Sequence, residues 1–179
     1  SAAVPSITSF TPTTAGNGEQ VVITGTGFTA ATVVKFGNVN ATSFTVNSDT
    51  QITAVVGSGA SGDVYVANAT NTNSKTGFIY KVVEYKFEND VLDATNANLD
   101  GTIVGTVTYS PGASGTSICF ENTYTSNVNT VANFLKIPNN LIRGRSTFTI
   151  SLRFKTSNYG AILGYQNQPA GVNSGNWVP

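Results

Sequence analysis

The sequence predicts an all-β protein built from two consecutive β-sandwiches. Short runs rich in Val, Ile and Thr alternate with turns of Gly, Asn, Asp and Pro. The turns recur every ~8–12 residues, which is the spacing typical of sandwiches. Inside the runs apolar and polar residues alternate, as they do in strands with one buried and one wetted face.

The first half shows this pattern most clearly around two turn glycines, Gly25 and Gly27, which separate two predicted strands. In the second of these strands Lys35 stands between Val34 and Phe36, so the two apolar side chains are expected to face a core and the lysine to face water. The same reasoning predicts strands at residues 7–10, 38–45, 51–56, 63–68 and 78–83, a turn-rich link at 12–18, and turns at 47–49 and 71–74.

Several residues of this half form a pattern that resembles one protein family. They are Pro5, Ile7, Pro12, Gly18, the run Val22–Phe28, the run Val34–Gly37, Ile52, Gly62, Val64 and Val66. Together, over about residues 4–81, they resemble the IPT/TIG family of immunoglobulin-like domains. Bacterial members usually serve as spacers in secreted enzymes, surface glycan-binding proteins and adhesins. The resemblance therefore implies an immunoglobulin-like spacer domain over residues 1–82.

The second half begins near Val82, where acidic residues become more frequent. Strands are expected at residues 103–109, 117–121, 134–137 and 147–155, and the run from residue 80 to residue 87 suggests a stiff junction without a linker. The last strand has the cleanest alternation, with one apolar face that needs burial. That face consists of Phe148, Ile150, Leu152 and Phe154.

This half resembles the laminin G-like, concanavalin A-like jelly-roll family. The matching residues are Tyr85–Phe87, Asp93–Thr102, Phe120–Asn122, Leu135–Pro138, Phe148–Phe154 and Gly160–Leu163. The resemblance implies a second domain over residues 83–179 that binds carbohydrate or protein, and many members hold calcium at the rim. The family's sandwich continues well beyond Leu163, so this jelly roll is expected to be partial. It would be a fragment, or a protomer that self-associates through open sheet edges.

Composition excludes several classes of function. Only 10% of the residues are charged, the net charge is zero and no basic run occurs, which argues against nucleic acid and anionic membranes as partners. No apolar run reaches the ~18 residues that would predict membrane insertion. The polar residues are mostly Thr, Ser, Asn and Gly, which is typical of secreted or cell-surface proteins, so we expect an extracellular location with any signal peptide already removed. The single cysteine, Cys119, allows no disulfide within the chain.

The sequence predicts no enzyme activity. Histidine is absent, which removes the commonest general base. Glycoside hydrolysis needs a pair of carboxyl groups across a cleft. Sandwich glucanases that resemble this fold carry their acids in an E-x-D-x-x-E arrangement on one strand, and the acids of this half do not follow it. Those acids include Glu88 and Glu121.

Two sets of residues are candidate sites. Asp90, Asp93, Asn96, Asn98 and Asp100 gather oxygen donors of the kind that Ca²⁺ prefers, although such side chains also satisfy turn backbones. Tyr124, Tyr159, Tyr165 and Trp177 lie in or near predicted loops, where aromatic rings either stack on a sugar or pack at strand ends.

These observations predict a non-catalytic binding or adhesion protein, in which a spacer carries a lectin-like module for a glycan or a cell-surface protein. Two alternatives remain open. The chain is a subunit or segment of an extracellular filament or stalk whose open sandwich is completed by a neighbouring chain, or it is the accessory region of a secreted glycoside hydrolase.

Overall fold

The computed structural model describes residues 3–95, 97–121, 133–139, 141–142 and 147–156. Its contacts divide the chain into two compact units, Ser1–Leu141 and Ile142–Pro179. The described residues form strands, turns and irregular segments but no helix. None of them therefore belongs to a helix that is long and apolar enough to cross a membrane.

The described residues of the first unit form thirteen strands. In chain order they are β1 Ser6–Thr11, β2 Thr14–Gly16, β3 Gln20–Thr26, β4 Val33–Phe36, β5 Val39–Asn40, β6 Ser43–Ser48, β7 Gln51–Val55, β8 Gly62–Ala67, β9 Thr72–Lys81, β10 Thr102–Val104, β11 Val107–Pro111, β12 Thr116–Phe120 and β13 Phe134–Lys136. The prediction of an all-β fold is confirmed.

The first nine strands form an immunoglobulin-like sandwich of two sheets. One sheet has the order β1-β3-β7-β6 and is antiparallel throughout, whereas the other has the order β2-β9-β8-β4-β5 and contains one parallel pair, between β2 and β9. Two-residue alternation sends one face of each sheet inward. Val34, Phe36, Val64 and Val66 are buried as predicted, while Lys35 is partly exposed.

The core between the sheets is built from apolar side chains. Phe78 is packed against Phe36 with 4.8 Å between the ring centroids and against Phe10 with 6.4 Å. Around these rings lie fully buried aliphatic side chains, including Ile23 and Ile52. Because each such side chain contributes about 1.5–3 kcal/mol when fully buried, this core is the main source of stability in the first unit.

The predicted turn at the two glycines is displaced by two residues. Gly25 lies inside β3, where a Cβ would come within 1.9 Å of the Ser6 carbonyl oxygen. The turn itself begins at Gly27, whose φ of 74° favours glycine. The Asp49 carboxylate accepts hydrogen bonds from the Thr29 hydroxyl and from the backbone N–H groups of Gly27 and Thr29, which holds the turn and keeps the pKa of Asp49 below its ordinary value.

Several other boundaries differ from the prediction, among them the turn predicted at 47–49, because β6 extends to Ser48. The segment 38–45 divides into β5 and β6, which belong to different sheets, and β2 forms within the predicted link at 12–18. The predicted turn at 71–74 is shorter, because β9 begins at Thr72 and pairs with β8 from there. Strand β9 ends at Lys81, so the run from residue 80 to residue 87 is not one continuous strand, and Tyr85 forms an isolated bridge with Asp93.

Residues 83–141 contribute two small antiparallel pairs, β10 with β13 and β11 with β12. The predicted strand at 103–109 is broken at Gly105, which has a φ of 85°. The predicted strands at 117–121 and 134–137 are present as β12 and β13. The domain boundary near Val82 and the jelly-roll assignment remain predictions.

The prediction of a strand at residues 147–155, which lie in the second unit, is wrong. Residues 147–156 form no strand and have no ladder partner among the described residues, and a strand needs such a partner for its backbone hydrogen bonds. The four apolar side chains of its expected buried face are exposed by 45–62%. They are Phe148, Ile150, Leu152 and Phe154.

Candidate functional site

The end of β9 carries an ion-pair cluster at the start of the second half. Lys81 Nζ lies 3.0 Å from Glu19 Oε1 and 2.9 Å from Glu84 Oε2. Partial burial alone would raise the pKa of Glu19, but hydrogen bonds from the Gly16 N–H and from Lys81 outweigh it and hold that pKa below its ordinary value. Burial alone would likewise lower the pKa of Lys81, but both glutamates outweigh it and raise that pKa. The cluster fixes the position of the chain as it leaves the sandwich.

Thr95 anchors the following loop on the sandwich. Its side chain is fully buried, and its hydroxyl lies 3.3 Å from the Val82 carbonyl oxygen. It contacts Gly16 at the end of β2 so closely that a Cβ on this glycine would lie 3.0 Å from the Thr95 Cβ. Glycine at position 16 is therefore what allows the loop to approach the sheet.

Asp93 organises the loop between Glu84 and Leu99. Its carboxylate accepts hydrogen bonds from the backbone N–H groups of Glu84 (3.2 Å), Thr95 (2.9 Å) and Leu99 (3.3 Å), and from the Thr95 hydroxyl (2.8 Å). Burial opposes ionisation, but these donors outweigh it and lower the pKa of Asp93. The backbone N–H of Asp93 in turn donates to Asp100 Oδ1 at 2.8 Å.

The residues predicted to bind calcium thus lie in one loop, but several of their oxygens serve the loop backbone. Asp90 Oδ1 accepts a hydrogen bond from the Leu92 N–H, Asp93 uses both carboxylate oxygens, and Asn98 has a positive φ of 56°. Asn96 lies outside the described residues. Within the described part of the chain, no group of three or more His, Cys, Asp or Glu side chains is placed to hold a metal. The calcium site therefore stays a prediction, and it fits these hydrogen bonds poorly.

A thermal melt tests the calcium prediction. If Ca²⁺ occupies the loop, its removal by a chelator lowers Tm, because an ion that binds only the folded state stabilises it by mass action. The hydrogen bonds of Asp93 already satisfy the loop without an ion, so we expect Tm to be the same with calcium and with chelator. A fall in Tm that added Ca²⁺ reverses, but added Mg²⁺ does not, would restore the calcium site.

Tyr85 closes the other side of the loop. Its hydroxyl donates a hydrogen bond to the Leu99 carbonyl oxygen at 2.6 Å, and its ring stacks on Phe87 with 6.2 Å between centroids. Burial, reinforced by the charges of Asp93 and Asp100, raises the pKa of Tyr85 to about 12. The phenol is therefore protonated in the folded protein at pH values where an unfolded tyrosine has ionised.

An alkaline titration followed by ultraviolet absorbance tests this placement. Because the folded pKa exceeds the ordinary value of 10.0, the stability that Tyr85 contributes is complete below pH 10.0 and is lost as pH rises toward about 12. We expect a tyrosine ionisation step near pH 12, and Tyr85→Phe to remove that step. A late step that survives Tyr85→Phe would contradict the assignment.

The four aromatic residues predicted to bind a ligand cannot be placed. Tyr124, Tyr159, Tyr165 and Trp177 all lie outside the described residues. Their role in binding stays a prediction.

An open groove lies beside the pair β10 and β13. Its volume is ≈ 270 Å³, and Asp100, Thr102, Lys136, Ile137, Pro138 and Asn139 line it. Thr102 is directly opposite Lys136 in the ladder, so their side chains share one face of the pair. The next pair on that face is Val104 with Phe134, whose side chain is 38% exposed.

Of these lining residues, only Asp100 was predicted from the sequence as a site residue. The alternation around Ile103 and around Leu135 was the available signal, since it places the flanking residues of each strand on one face. Which strands pair could not be predicted, because more than 25 residues separate the two along the chain. Thr95 and Gly16 were missed for the same reason.

A comparison with protein-family models identifies one domain of the chain. Residues 5–83 match the model of the IPT/TIG domain family. The predicted IPT/TIG domain is confirmed. The resemblance of residues 83–179 to laminin G-like domains stays a prediction. No curated protein matches the chain.

Three solved structures are partly similar to this chain. A candidate phosphatase from Bacteroides thetaiotaomicron shares 26% identity, covers 44% of this chain and 18% of its own, and gives a TM-score of 0.39. An auxiliary nutrient binding protein from the same organism shares 13% identity, covers 60% of this chain and 26% of its own, and gives a TM-score of 0.40. SGBP-B from a complex xyloglucan utilization locus in Bacteroides uniformis shares 22% identity, covers 60% of this chain and 30% of its own, and gives a TM-score of 0.38. The chain thus spans less than a third of the length of these structures.

Proposed function

We propose that this chain is a secreted or cell-surface binding protein without enzyme activity, in which the IPT/TIG domain is the spacer and the residues after Val82 recognise a glycan or a cell-surface protein. One observation carries the proposal. The IPT/TIG domain has an apolar core, and its buried or bound polar groups, such as Asn68 and Asp49, hold turns. Such a domain is suited to hold another part of the chain in place.

The attachment of the second half supports this division of roles. Thr95 is buried against the sandwich. Lys81 donates hydrogen bonds to Glu19 in the sandwich and to Glu84 in the segment that follows it. A spacer that holds the following segment by such contacts restricts the motion of that segment. This reduces the conformational entropy that the segment loses when it binds a ligand. The polar groove at β10 and β13 lies in the segment held in this way.

A glycan array with the whole chain tests the proposal. We expect saturable binding to at least one glycan class. Calorimetry with that glycan should then give a measurable dissociation constant. The bound glycan should be recovered intact after long incubation, because no catalytic role is proposed. Release of new reducing ends would contradict the non-catalytic part. Absence of binding to any glycan or to cell-surface proteins would contradict the whole proposal.

One observation favours a structural role as a second candidate. The row Phe148, Ile150, Leu152 and Phe154 is exposed, and such apolar rows mark surfaces that associate. Light scattering over a range of concentrations distinguishes the two roles. Concentration-dependent polymers that Leu152→Ser dissolves and Ser151→Ala leaves intact would favour a filament subunit. A compact, non-associating monomer would exclude it.

A further inference from the structure

The strongest unassigned feature of the described chain is the groove at β10 and β13, and it combines four kinds of chemical group. Asp100 supplies a carboxylate, Lys136 an ammonium group, and Thr102 and Asn139 supply a hydroxyl and an amide. Ile137 and Pro138 supply apolar surface beside them. The groove thus offers an anion, a cation, neutral hydrogen-bonding groups and apolar carbon within a small space.

The polar groups of the groove are available to a ligand. Asp100 uses Oδ1 to accept the Asp93 N–H, and Oδ2 has no hydrogen-bond partner in the described part of the chain. Lys136 has no carboxylate within ion-pair distance among the described residues, and its side chain is exposed. Thr102 is exposed and lies directly opposite Lys136 in the ladder. A ligand there can therefore form charge-assisted hydrogen bonds without first breaking internal ones.

The groove also has the dimensions and the neighbours of a site for one sugar ring. Its volume of ≈ 270 Å³ lies just below the ~300 Å³ of the smallest drug-sized pockets, which is room for one sugar ring. On the same face, two residues before Lys136, the ring of Phe134 is 38% exposed. Apolar side chains of this kind cover the C–H face of a pyranose, while hydroxyl groups meet the polar side chains.

We infer that this groove binds one residue of a neutral saccharide. Asp100 Oδ2 accepts hydrogen bonds from ring hydroxyls, Lys136 and Asn139 donate to hydroxyl oxygens, and Pro138 and Phe134 face the apolar side of the sugar. The presence of both charges favours a neutral ligand, because a uronate would meet the Asp100 carboxylate as well as the Lys136 ammonium. This inference rests on the proposed function and names its ligand class and its site.

Calorimetric titration of the whole chain tests the inference. The probes are neutral gluco-, xylo- and manno-oligosaccharides and one galacturonate oligosaccharide. Thr102→Val removes a hydroxyl while keeping the side-chain shape, and Lys136→Met removes a charge while keeping the length. Both positions are exposed, so the fold should be retained. Lys35→Met in β4 of the IPT/TIG domain is the matched control.

We expect a neutral oligosaccharide to bind, Lys136→Met to weaken it about tenfold, Thr102→Val to weaken it about threefold, and Lys35→Met to leave it unchanged. Neutral binding that survives both groove variants would overturn the inference and leave the proposed function intact. A preference for galacturonate would overturn the ligand class. If no saccharide binds the wild-type chain, the glycan part of the proposed function fails and the inference fails with it.

Discussion

Gly25→Ala is expected to lower the free energy of unfolding by about 3 kcal/mol or more, because the new methyl group has no space. A Cβ at this position would lie 1.9 Å from the Ser6 carbonyl oxygen and 2.5 Å from Phe28 Cζ. Relief would require β1 to move away from β3, where Ile7 and Gly25 are partners. Urea denaturation followed by circular dichroism measures the effect, and Tm should fall by more than about 12 °C.

Gly59→Ala is the control for this prediction. Its Cβ would meet Tyr80 Cδ2 at 3.4 Å, an ordinary contact, and Gly59 does not have a positive φ. We expect a change within about 0.5 kcal/mol, since a glycine that tolerates a methyl group mainly gains rigidity in the unfolded state. Equal effects of the two substitutions would show that the close approach at Gly25 is not a determinant of the sandwich.

Asp93→Ala is expected to release the loop between residues 84 and 99, at a cost of about 2–4 kcal/mol. The substitution leaves the backbone N–H groups of Glu84, Thr95 and Leu99 without their acceptor. Their amide hydrogen exchange should speed up about 100-fold, while amides in the core of the sandwich should change much less. Asp90→Asn is the control, because Asp90 accepts one hydrogen bond, from Leu92, and its substitution should change exchange little.

The effect of Asp93 should depend on pH in one direction. Its folded pKa is below the ordinary value of 3.8, so its contribution is fully present above pH 3.8 and is lost as pH falls through the folded pKa. The difference between wild type and Asp93→Ala should therefore shrink in acid. A difference that is constant from neutral pH to well below pH 3.8 would contradict the role of the carboxylate.

The sandwich was largely predictable because its signals are local. Val34, Lys35 and Phe36 show by alternation alone which side chains face the core, and Gly27 marks a turn whose φ only glycine adopts readily. The errors lie where pairing, not local preference, decides. β2 forms because it lies parallel to β9, more than 60 residues later along the chain.

The junction was predicted less well, because the chemistry of its side chains allows two uses. Asp93 belongs to a cluster of oxygen donors that suits either a calcium ion or turn backbone, and sequence cannot tell which donors approach it. In the structure, backbone N–H groups and the Thr95 hydroxyl approach it. The burial of Thr95 depends on Gly16, about 80 residues earlier, and no local pattern reveals that contact.

The alternation at residues 147–155 shows the opposite limit of sequence reasoning. The pattern is regular, yet in the structure the segment forms no strand and its apolar face is exposed. Alternation predicts which side chains would share a face, but a strand also needs a partner for its backbone. The groove at Thr102 and Lys136 was missed for a related reason, since it exists only once β10 and β13 pair.

The central claim is that the IPT/TIG domain serves as a support and that the segment after Val82 binds the ligand. Nuclear magnetic resonance of the whole chain during titration with the saccharide that binds tests it most directly. Chemical shifts are expected to change at Asp100, Thr102 and Lys136 and to stay constant across the two sheets of the sandwich. Shift changes confined to the outer faces of those sheets would contradict the claim.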